Sequence, residues 1–266
     1  MIAYASGLLA VLLYACGTLL QGRALRNDVN LRAPMLGLAF AALVLHLVNV
    51  VVVIRTDAGY DFSFFHIATL FSWVMVAIVL VSSLRKPLEN LLLVLFPIAM
   101  LSLLSATFLP GSAEPITDMT AGVAVHSILG IVAFSIITVA AVQALLVAWL
   151  NRELKRHHFH SALRHAPPLQ TMEALLFESI HYGFAALLGV IITGFMFMDD
   201  MFAQHLVHKT VLTLVSCAVF GVLLWGRHVN GWRGKVALRW IFSGYTVLLL
   251  AYFGSKFVLE LLLNRV

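Results

Sequence analysis

Long apolar runs, separated by short charged loops, constrain this chain more than any other feature. Of its 266 residues, 62% are hydrophobic and only 11% are charged, whereas a soluble domain has about 25% charged residues. A helix of about 20 apolar residues crosses a bilayer, and in lipid a helix satisfies all of its own backbone hydrogen bonds. The sequence therefore predicts an all-α, polytopic membrane bundle of about eight transmembrane helices. They are expected at about residues 2–21, 33–54, 63–84, 88–107, 119–150, 172–197, 206–226 and 238–262.

No stretch is polar enough and long enough to form a separate soluble domain, so residues 1–266 are predicted to be a single integral membrane domain. The first apolar run is followed, not preceded, by its basic residues Arg23 and Arg26. A signal peptide carries its charges before the apolar run. Residues 2–21 are therefore expected to remain as the first helix.

The loops alternate in charge along the chain. Those after the first, third, fifth and seventh predicted helices are basic, and the others are neutral to acidic. Because basic loops stay in the cytoplasm, both termini are expected on the periplasmic side of a multi-pass protein in the bacterial inner membrane. The net charge of +5 then reflects topology, and the expected partner is the lipid bilayer, not nucleic acid.

The two cysteines, Cys16 and Cys217, lie inside apolar segments and form no CxxC motif. A thiol-exchange role is therefore not expected, and without a CxxCH motif the chain does not itself attach a c-type haem. Both residues are interpreted as small core residues.

Histidines at two predicted depths are the candidate site residues. His126 and His208 lie near the outer ends of the fifth and seventh helices, His46 lies in the outer half of the second, and His228 ends the seventh near the cytoplasm. A six-coordinate haem iron takes two axial imidazoles from separate elements. Zinc needs three or four converging ligands, and the spans contain no HxxxH pair and few carboxylates. For His46, His126 and His228, the sequence alone does not decide between a role as a metal ligand and a role in a structural hydrogen bond.

Two segments resemble a known family. The segment GRHVNGWRGKVALRW (226–240), followed by the Tyr-Phe-Gly element at 252–254, resembles the C-terminal part of the CcsA/CcmC-type cytochrome c assembly proteins, which handle haem in membranes. His126 in VHSILGIVAFS matches the external histidine of that family, and His228 matches its inner histidine. The PPLQTMEALLF segment (167–177) and the chain length resemble the YpjD-like inner-membrane branch.

One external segment departs from the family pattern. The family carries a tryptophan-rich region with a WxWDPKE core, whereas the corresponding residues here read MDDMFAQHLVHKTVL (198–212) and contain no tryptophan. The family's second external histidine, beyond the last helix, has no counterpart in this sequence. We infer that His208 replaces it, on its predicted depth alone.

The resemblance implies a haem-binding or haem-handling protein linked to cytochrome c assembly, with haem b held non-covalently. His126 and His208 would form or gate an outer site, and His46 and His228 an inner one. Arg227, Arg233 and Lys235, whose cations suit carboxylates, would meet the haem propionates, and a role as basic anchors on the cytoplasmic side stays equally open. A membrane protein partner is possible, and no enzymatic activity is expected. The alternative is a haem-free scaffold or accessory subunit of another membrane complex. A third interpretation is a small-solute or ion transporter with His46 and the Asp199-Asp200 pair along its path.

Overall fold

A computed structural model describes residues 1–27, 29–109, 111, 115–155, 167–198, 207–254 and 256–257. Within these residues, eight helices are long and apolar enough to cross a membrane. This confirms the predicted polytopic helical bundle. The helices are α1 (Ile2–Asn27), α2 (Arg32–Ile54), α3 (Phe64–Ser83), a 3-10 turn (Glu89–Leu91) that leads into α4 (Leu92–Phe108), α5 (Ala121–Lys155), α6 (Leu169–Phe197), α7 (Val207–Asn230) and α8 (Gly234–Leu249), which continues as a π-helical turn (Leu250–Gly254).

Several helices run past the apolar segments that predicted them. α1 continues to Asn27 instead of ending near residue 21, and α5 continues to Lys155 instead of residue 150. Arginine, leucine and lysine are good helix formers, so a helix does not have to end where its apolar run ends. α8 begins at Gly234, four residues before the predicted start. Its predicted end at residue 262 lies outside the described residues.

Two small elements were not predicted. Strands β1 (Arg55–Thr56) and β2 (Gly59–Tyr60) form an antiparallel hairpin after α2, where the sequence indicated only a loop. The backbone of Tyr60 also exchanges hydrogen bonds of 3.0 and 2.9 Å with Ile116. We call this end of α2 and α3 the hairpin end. The second element is the π-helical turn that interrupts the last helix.

The chain divides into two compact units. Unit 1 comprises residues 1–117 and 152–168, and unit 2 comprises residues 118–151 and 169–266. Helices α1 to α4 thus belong to unit 1, while α6 to α8 and most of α5 belong to unit 2. The organisation as one membrane domain stays a prediction.

In unit 1, α1 packs on α2 and α4, and α3 packs on the same two helices. The interior is apolar, with Phe71, Phe96 and Leu103 fully buried. Polar pairs join helices inside this core, such as Ser72 and Ser102, whose hydroxyl oxygens lie 2.5 Å apart. Such bonds between membrane helices contribute about 0.6 kcal/mol on average, up to about 2.

In unit 2, α7 packs on α6 and α8. α5 lies antiparallel to α6, because Ile137 contacts the backbone at Gly183 while the Gln143 amide donates to the Met172 carbonyl at 3.3 Å. α6 lies antiparallel to α7 by the same reasoning, since Phe184 faces Gly221 while the Arg227 guanidinium lies over the Phe177 ring. α5 and α7 therefore begin at the same end of unit 2.

The Gly-Trp-Arg-Gly segment is the turn that joins α7 to α8. Gly231 and Gly234 have φ values of +66° and +56°, a region that glycine adopts without strain. Between them, Trp232 folds back over α7, donates its backbone N–H to the Gly226 carbonyl at 3.2 Å and stacks on Trp240 with ring centroids 5.4 Å apart. A Cβ atom on Gly226 would overlap the Trp232 indole. The motif thus has a structural role in closing this helical hairpin.

We predict that Gly226→Ala lowers the free energy of unfolding by about 1–3 kcal/mol, as overpacking commonly does. The added methyl group must displace an indole that is held by the stack on Trp240. Gly221→Ala is the matched control, because its nearest neighbour would lie at an ordinary 3.5 Å. Circular dichroism during unfolding of the detergent-solubilised protein measures both variants, and equal stabilities would refute this account of the turn.

Candidate functional site

His126 lies one turn into α5, and its half-buried imidazole faces α6. Its Nδ1 atom is 3.1 Å from the Thr193 hydroxyl oxygen. The two residues meet because α5 and α6 are antiparallel, so the start of one helix lies beside the end of the other.

The bonding of Thr193 fixes the tautomer of His126. A hydroxyl has a single hydrogen, and Thr193 Oγ1 lies 2.7 Å from the Gly189 carbonyl oxygen and 3.1 Å from that of Val190. The hydroxyl therefore donates to its own helix, a common arrangement for threonine, and accepts a hydrogen bond from His126 Nδ1–H. In the neutral ring, the lone pair is then on Nε2.

The Tyr-Phe-Gly element reaches the same region of α5. Tyr252 lies on the π-helical turn, and a Cβ atom on Gly130, one turn after His126, would be 2.7 Å from the tyrosine hydroxyl. Phe134, a further turn along α5, contacts the rings of Tyr252 and Phe253 at centroid distances of 5.1 and 5.5 Å. π-helical turns are frequent at functional sites. We call His126, Thr193, Gly130, Phe134 and Tyr252 the His126 cluster.

His208, the predicted partner of His126, lies on the first turn of α7 with an exposed side chain. Since α5 and α7 begin at the same end of unit 2, both histidines lie at that end. His126 lies about a turn further into its helix than His208. The outer site and the ligand role of each residue stay predictions.

His46, the predicted inner ligand, is fully buried in unit 1. Its Nδ1 lies 3.3 Å from the Tyr14 hydroxyl and its Nε2 lies 3.0 Å from the Thr69 hydroxyl. Both ring nitrogens are therefore engaged with side chains of α1 and α3. To bind iron, this imidazole would have to release one of these bonds.

His228 and Arg227 lie on the last turn of α7 in unit 2, so His228 and His46 belong to different units. The His228 side chain is exposed. The Arg227 guanidinium lies 4.3 Å from the centre of the Phe177 ring and donates to the Trp232 carbonyl at 3.1 Å. These contacts join α6 to the α7–α8 turn, which gives Arg227 a structural role whether or not it meets a propionate.

The remaining histidines divide into three groups. His181 is exposed on α6 and donates Nδ1–H to the Phe177 carbonyl at 2.7 Å, while His66 is buried at the hairpin end of unit 1. No group of three or more His, Cys, Asp or Glu side chains converges within the part of the chain that the structure describes. The Asp199-Asp200 pair of the transporter interpretation lies outside the described residues, as do His157, His158, His160, His165 and His205.

Thr193 is the site residue that the sequence analysis missed. Its depth could have identified it, since it lies four residues before the end of α6 and His126 lies five residues after the start of α5. Nothing in the sequence identifies the contact of Tyr252 with Gly130, because it depends on the π-helical turn and on the packing of α8.

The family comparison agrees with the helix order and the motifs. The sequence model of the family described as "Cytochrome C assembly protein" matches residues 34–263. The chain is 30% identical to the inner membrane protein YpjD of Escherichia coli strain K12 over 206 residues, which cover 77% of this chain and 78% of that protein. YpjD of Escherichia coli O157:H7 gives the same identity and coverage.

A further relative is the "Uncharacterized 28.8 kDa protein in nifR3-like 5'region" of Azospirillum brasilense, 30% identical over 141 residues and 52% of each chain. No solved structure matches this chain. The family match covers most of the eight-helix region, including the segments that carry His46, His126 and the Gly-Trp-Arg-Gly turn. This multi-pass membrane protein therefore belongs to the cytochrome c assembly protein family.

Proposed function

We propose that this protein binds haem b non-covalently through His126 and acts in the assembly of c-type cytochromes. The observation that carries the proposal is the hydrogen bond from His126 Nδ1–H to Thr193. Histidines that bind metal ions almost always donate their other ring N–H to a fixed acceptor. Haem would supply an iron that accepts the lone pair on His126 Nε2. The hydrogen bond to Thr193 holds the imidazole in the tautomer that carries this lone pair.

The surroundings of His126 suit a flat, apolar macrocycle with one polar position. Phe134, about two turns along α5 from His126, forms a group of aromatic rings with Tyr252 and Phe253. The polarity and hydrogen bonding around the iron are what a protein uses to set the behaviour of a haem. Membership of the cytochrome c assembly family supports the biological role.

We further propose that His208 would be a second protein ligand of the haem iron. It lies at the same end of unit 2, on a different helix, and axial ligands come from separate elements. The pair His46 and His228 has weaker support, since both ring nitrogens of His46 are already hydrogen-bonded within unit 1.

A haem-free scaffold or accessory subunit is the second candidate function. The bonding of Arg227 and His46 favours it, because both side chains have complete structural roles without a ligand. Purified wild-type protein that binds no haem, together with a co-purifying membrane protein, would support this candidate over the first.

We also infer that the protein lies in the bacterial inner membrane with its basic loops in the cytoplasm. The relatives named inner membrane protein YpjD support the location, and the alternation of loop charge supports the orientation. The hairpin between β1 and β2 would then lie on the periplasmic side.

Thr193→Val should weaken haem binding about 10- to 100-fold, the usual cost of losing the acceptor behind a metal-bound histidine. Thr193→Ser keeps the hydroxyl and should bind like the wild type. Thr18→Val is the matched control, because Thr18 makes the same bond to its own helix, 2.9 Å to the Tyr14 carbonyl, without contacting a histidine. Haem titration of the haem-depleted protein measures the affinities. Equal affinities for Thr193→Val and the wild type would rule out this role of Thr193.

His208→Ala should retain haem on His126 but lose the second axial ligand. The ferric spectrum should change from low-spin to high-spin, and added imidazole should restore the low-spin form. His181→Ala replaces another exposed histidine and should leave the spectrum unchanged. A low-spin spectrum in His208→Ala without imidazole would exclude His208 as the ligand.

Orientation is testable with single cysteines in a Cys16→Ser, Cys217→Ser background. Asp57→Cys and Arg85→Cys place exposed thiols in the hairpin and after α3. A membrane-impermeant maleimide should label Asp57→Cys in intact spheroplasts and Arg85→Cys only after disruption, with both labelled in detergent. The opposite pattern would reverse the topology.

A further inference from the structure

A partly polar pocket lies at the end of unit 1 opposite the hairpin end, where α1 and α3 end and α2 and α4 begin. Its volume is about 300 Å³. A buried water needs only about 10–15 Å³ of such space, so one water does not fill it. All of its lining residues belong to unit 1, whereas the His126 cluster belongs to unit 2. The proposed haem site therefore does not account for this pocket.

Two residues that line the pocket each have a buried acceptor atom without a donor. The Gln21 side chain, in a residue only 4% exposed, donates Nε2–H to the Glu89 backbone carbonyl at 2.6 Å, which fixes the orientation of its amide. Glu89 uses Oε1 in an ion pair with Arg32 Nε at 3.1 Å. Within the described part of the chain, Gln21 Oε1 and Glu89 Oε2 have no hydrogen-bond partner. Because leaving a buried acceptor unpaired is unfavourable, and more so when it is charged, these atoms favour a ligand that donates hydrogen bonds.

Arg32 places a positive charge beside these acceptors. Its guanidinium bonds the Glu89 carboxylate through Nε and the Ser83 carbonyl through Nη2, at 2.5 Å. Its side chain is still about half exposed. Among the described residues that line the pocket, Arg32 and Glu89 are the charged ones, and their charges cancel. A ligand with both a cationic and an anionic group therefore suits this wall better than a ligand with a net charge.

The pocket lies at the depth of lipid headgroups. α1 and α2 are 26 and 23 residues long, which is enough to cross a hydrocarbon core of about 30 Å. The helix ends that form the pocket then reach the headgroup region. Leu25, Leu31 and Met35 add apolar side chains to the lining. Polar and apolar walls side by side are what the junction of a headgroup and its acyl chains requires.

We propose that this pocket binds the headgroup of a phospholipid with a primary ammonium group, phosphatidylethanolamine. The ammonium has three N–H donors, as a lysine side chain does, and donates to Gln21 Oε1 and Glu89 Oε2. The headgroup phosphate pairs with the Arg32 guanidinium. Phosphatidylcholine carries the same charges, but its quaternary ammonium has no N–H to donate. Phosphatidylglycerol lacks the cation, and a soluble amine lacks the phosphate and the acyl chains.

Native mass spectrometry of the delipidated full-length protein in detergent tests the proposal, because it resolves lipids of different mass on one chain. Equal amounts of dioleoyl-phosphatidylethanolamine and dioleoyl-phosphatidylcholine are added together. We expect one phosphatidylethanolamine per chain in preference to phosphatidylcholine. Glu89→Gln should weaken this binding about 10-fold or more, the scale of a hydrogen bond to a charged group. Asp57→Asn makes the same charge change at an exposed residue of the hairpin and should bind like the wild type.

A second variant separates loss of the site from loss of the fold. Gln21→Lys keeps a donor for the Glu89 carbonyl and supplies its own ammonium to Glu89 Oε2. It should melt at or above the temperature of the lipid-free wild type and yet lose the preference for phosphatidylethanolamine. Gln170→Lys, which changes an exposed residue at the start of α6, should behave like the wild type. Added phosphatidylethanolamine should raise the melting temperature of the wild type and of Gln170→Lys, as a ligand of the folded state does, but not that of Gln21→Lys.

Three results would overturn the proposal. The first is equal binding of the two lipids by the wild type, as expected if lipid only surrounds the helices and water fills the pocket. The second is a preference for phosphatidylethanolamine that survives in both Glu89→Gln and Gln21→Lys. The third is stabilisation of the wild type by soluble ethanolamine without retention of either lipid, which would make the ligand a free amine.

Discussion

The absence of water from the bilayer interior is the constraint on which this structure depends. Each backbone N–H and C=O in that region must be bonded within the protein, and the chain meets this requirement with eight helices among its described residues. The same constraint applies to polar side chains. Several of those placed within the spans engage a neighbouring helix, as His46 does with Tyr14 and Thr69, or bond to their own backbone, as Thr193 does with Gly189.

The two kinds of bonding lead to different chemistry. His46 uses both ring nitrogens inside unit 1, so its imidazole is a joint between helices. His126 donates its Nδ1–H to Thr193, whose own hydroxyl proton is donated to the Gly189 carbonyl. The Nε2 atom of His126 therefore keeps its lone pair. Two buried or half-buried histidines of the same chain thus differ in what they can offer a metal. The difference is that His46 contacts two hydroxyl groups, those of Tyr14 and Thr69, whereas His126 contacts that of Thr193.

The spans could be predicted from the sequence, because apolar runs fix which segments can cross the bilayer, and their ends place His126 and His208 near the starts of α5 and α7. The pairing of His46 with His228 came from the family resemblance, since the sequence places these two histidines at different depths, and it stays a prediction. The π-helical turn and the contact of Tyr252 with Gly130 depend on side-chain packing, which periodicity does not encode. The Gly-Trp-Arg-Gly motif was recognised as a family feature. In the structure its two glycines adopt positive φ values in the turn, and its tryptophan lies on Gly226 of α7.

The central claim is that His126 binds haem iron. The most direct measurement is the absorption spectrum and haem content of the protein purified in mild detergent from haem-replete cells, with the His126→Ala variant beside the wild type. The account predicts a Soret band and near-stoichiometric haem in the wild type, and loss of both in His126→Ala at unchanged helical content. A wild type that stays colourless after haem is added, or a His126→Ala protein that retains the same haem and spectrum, would contradict it.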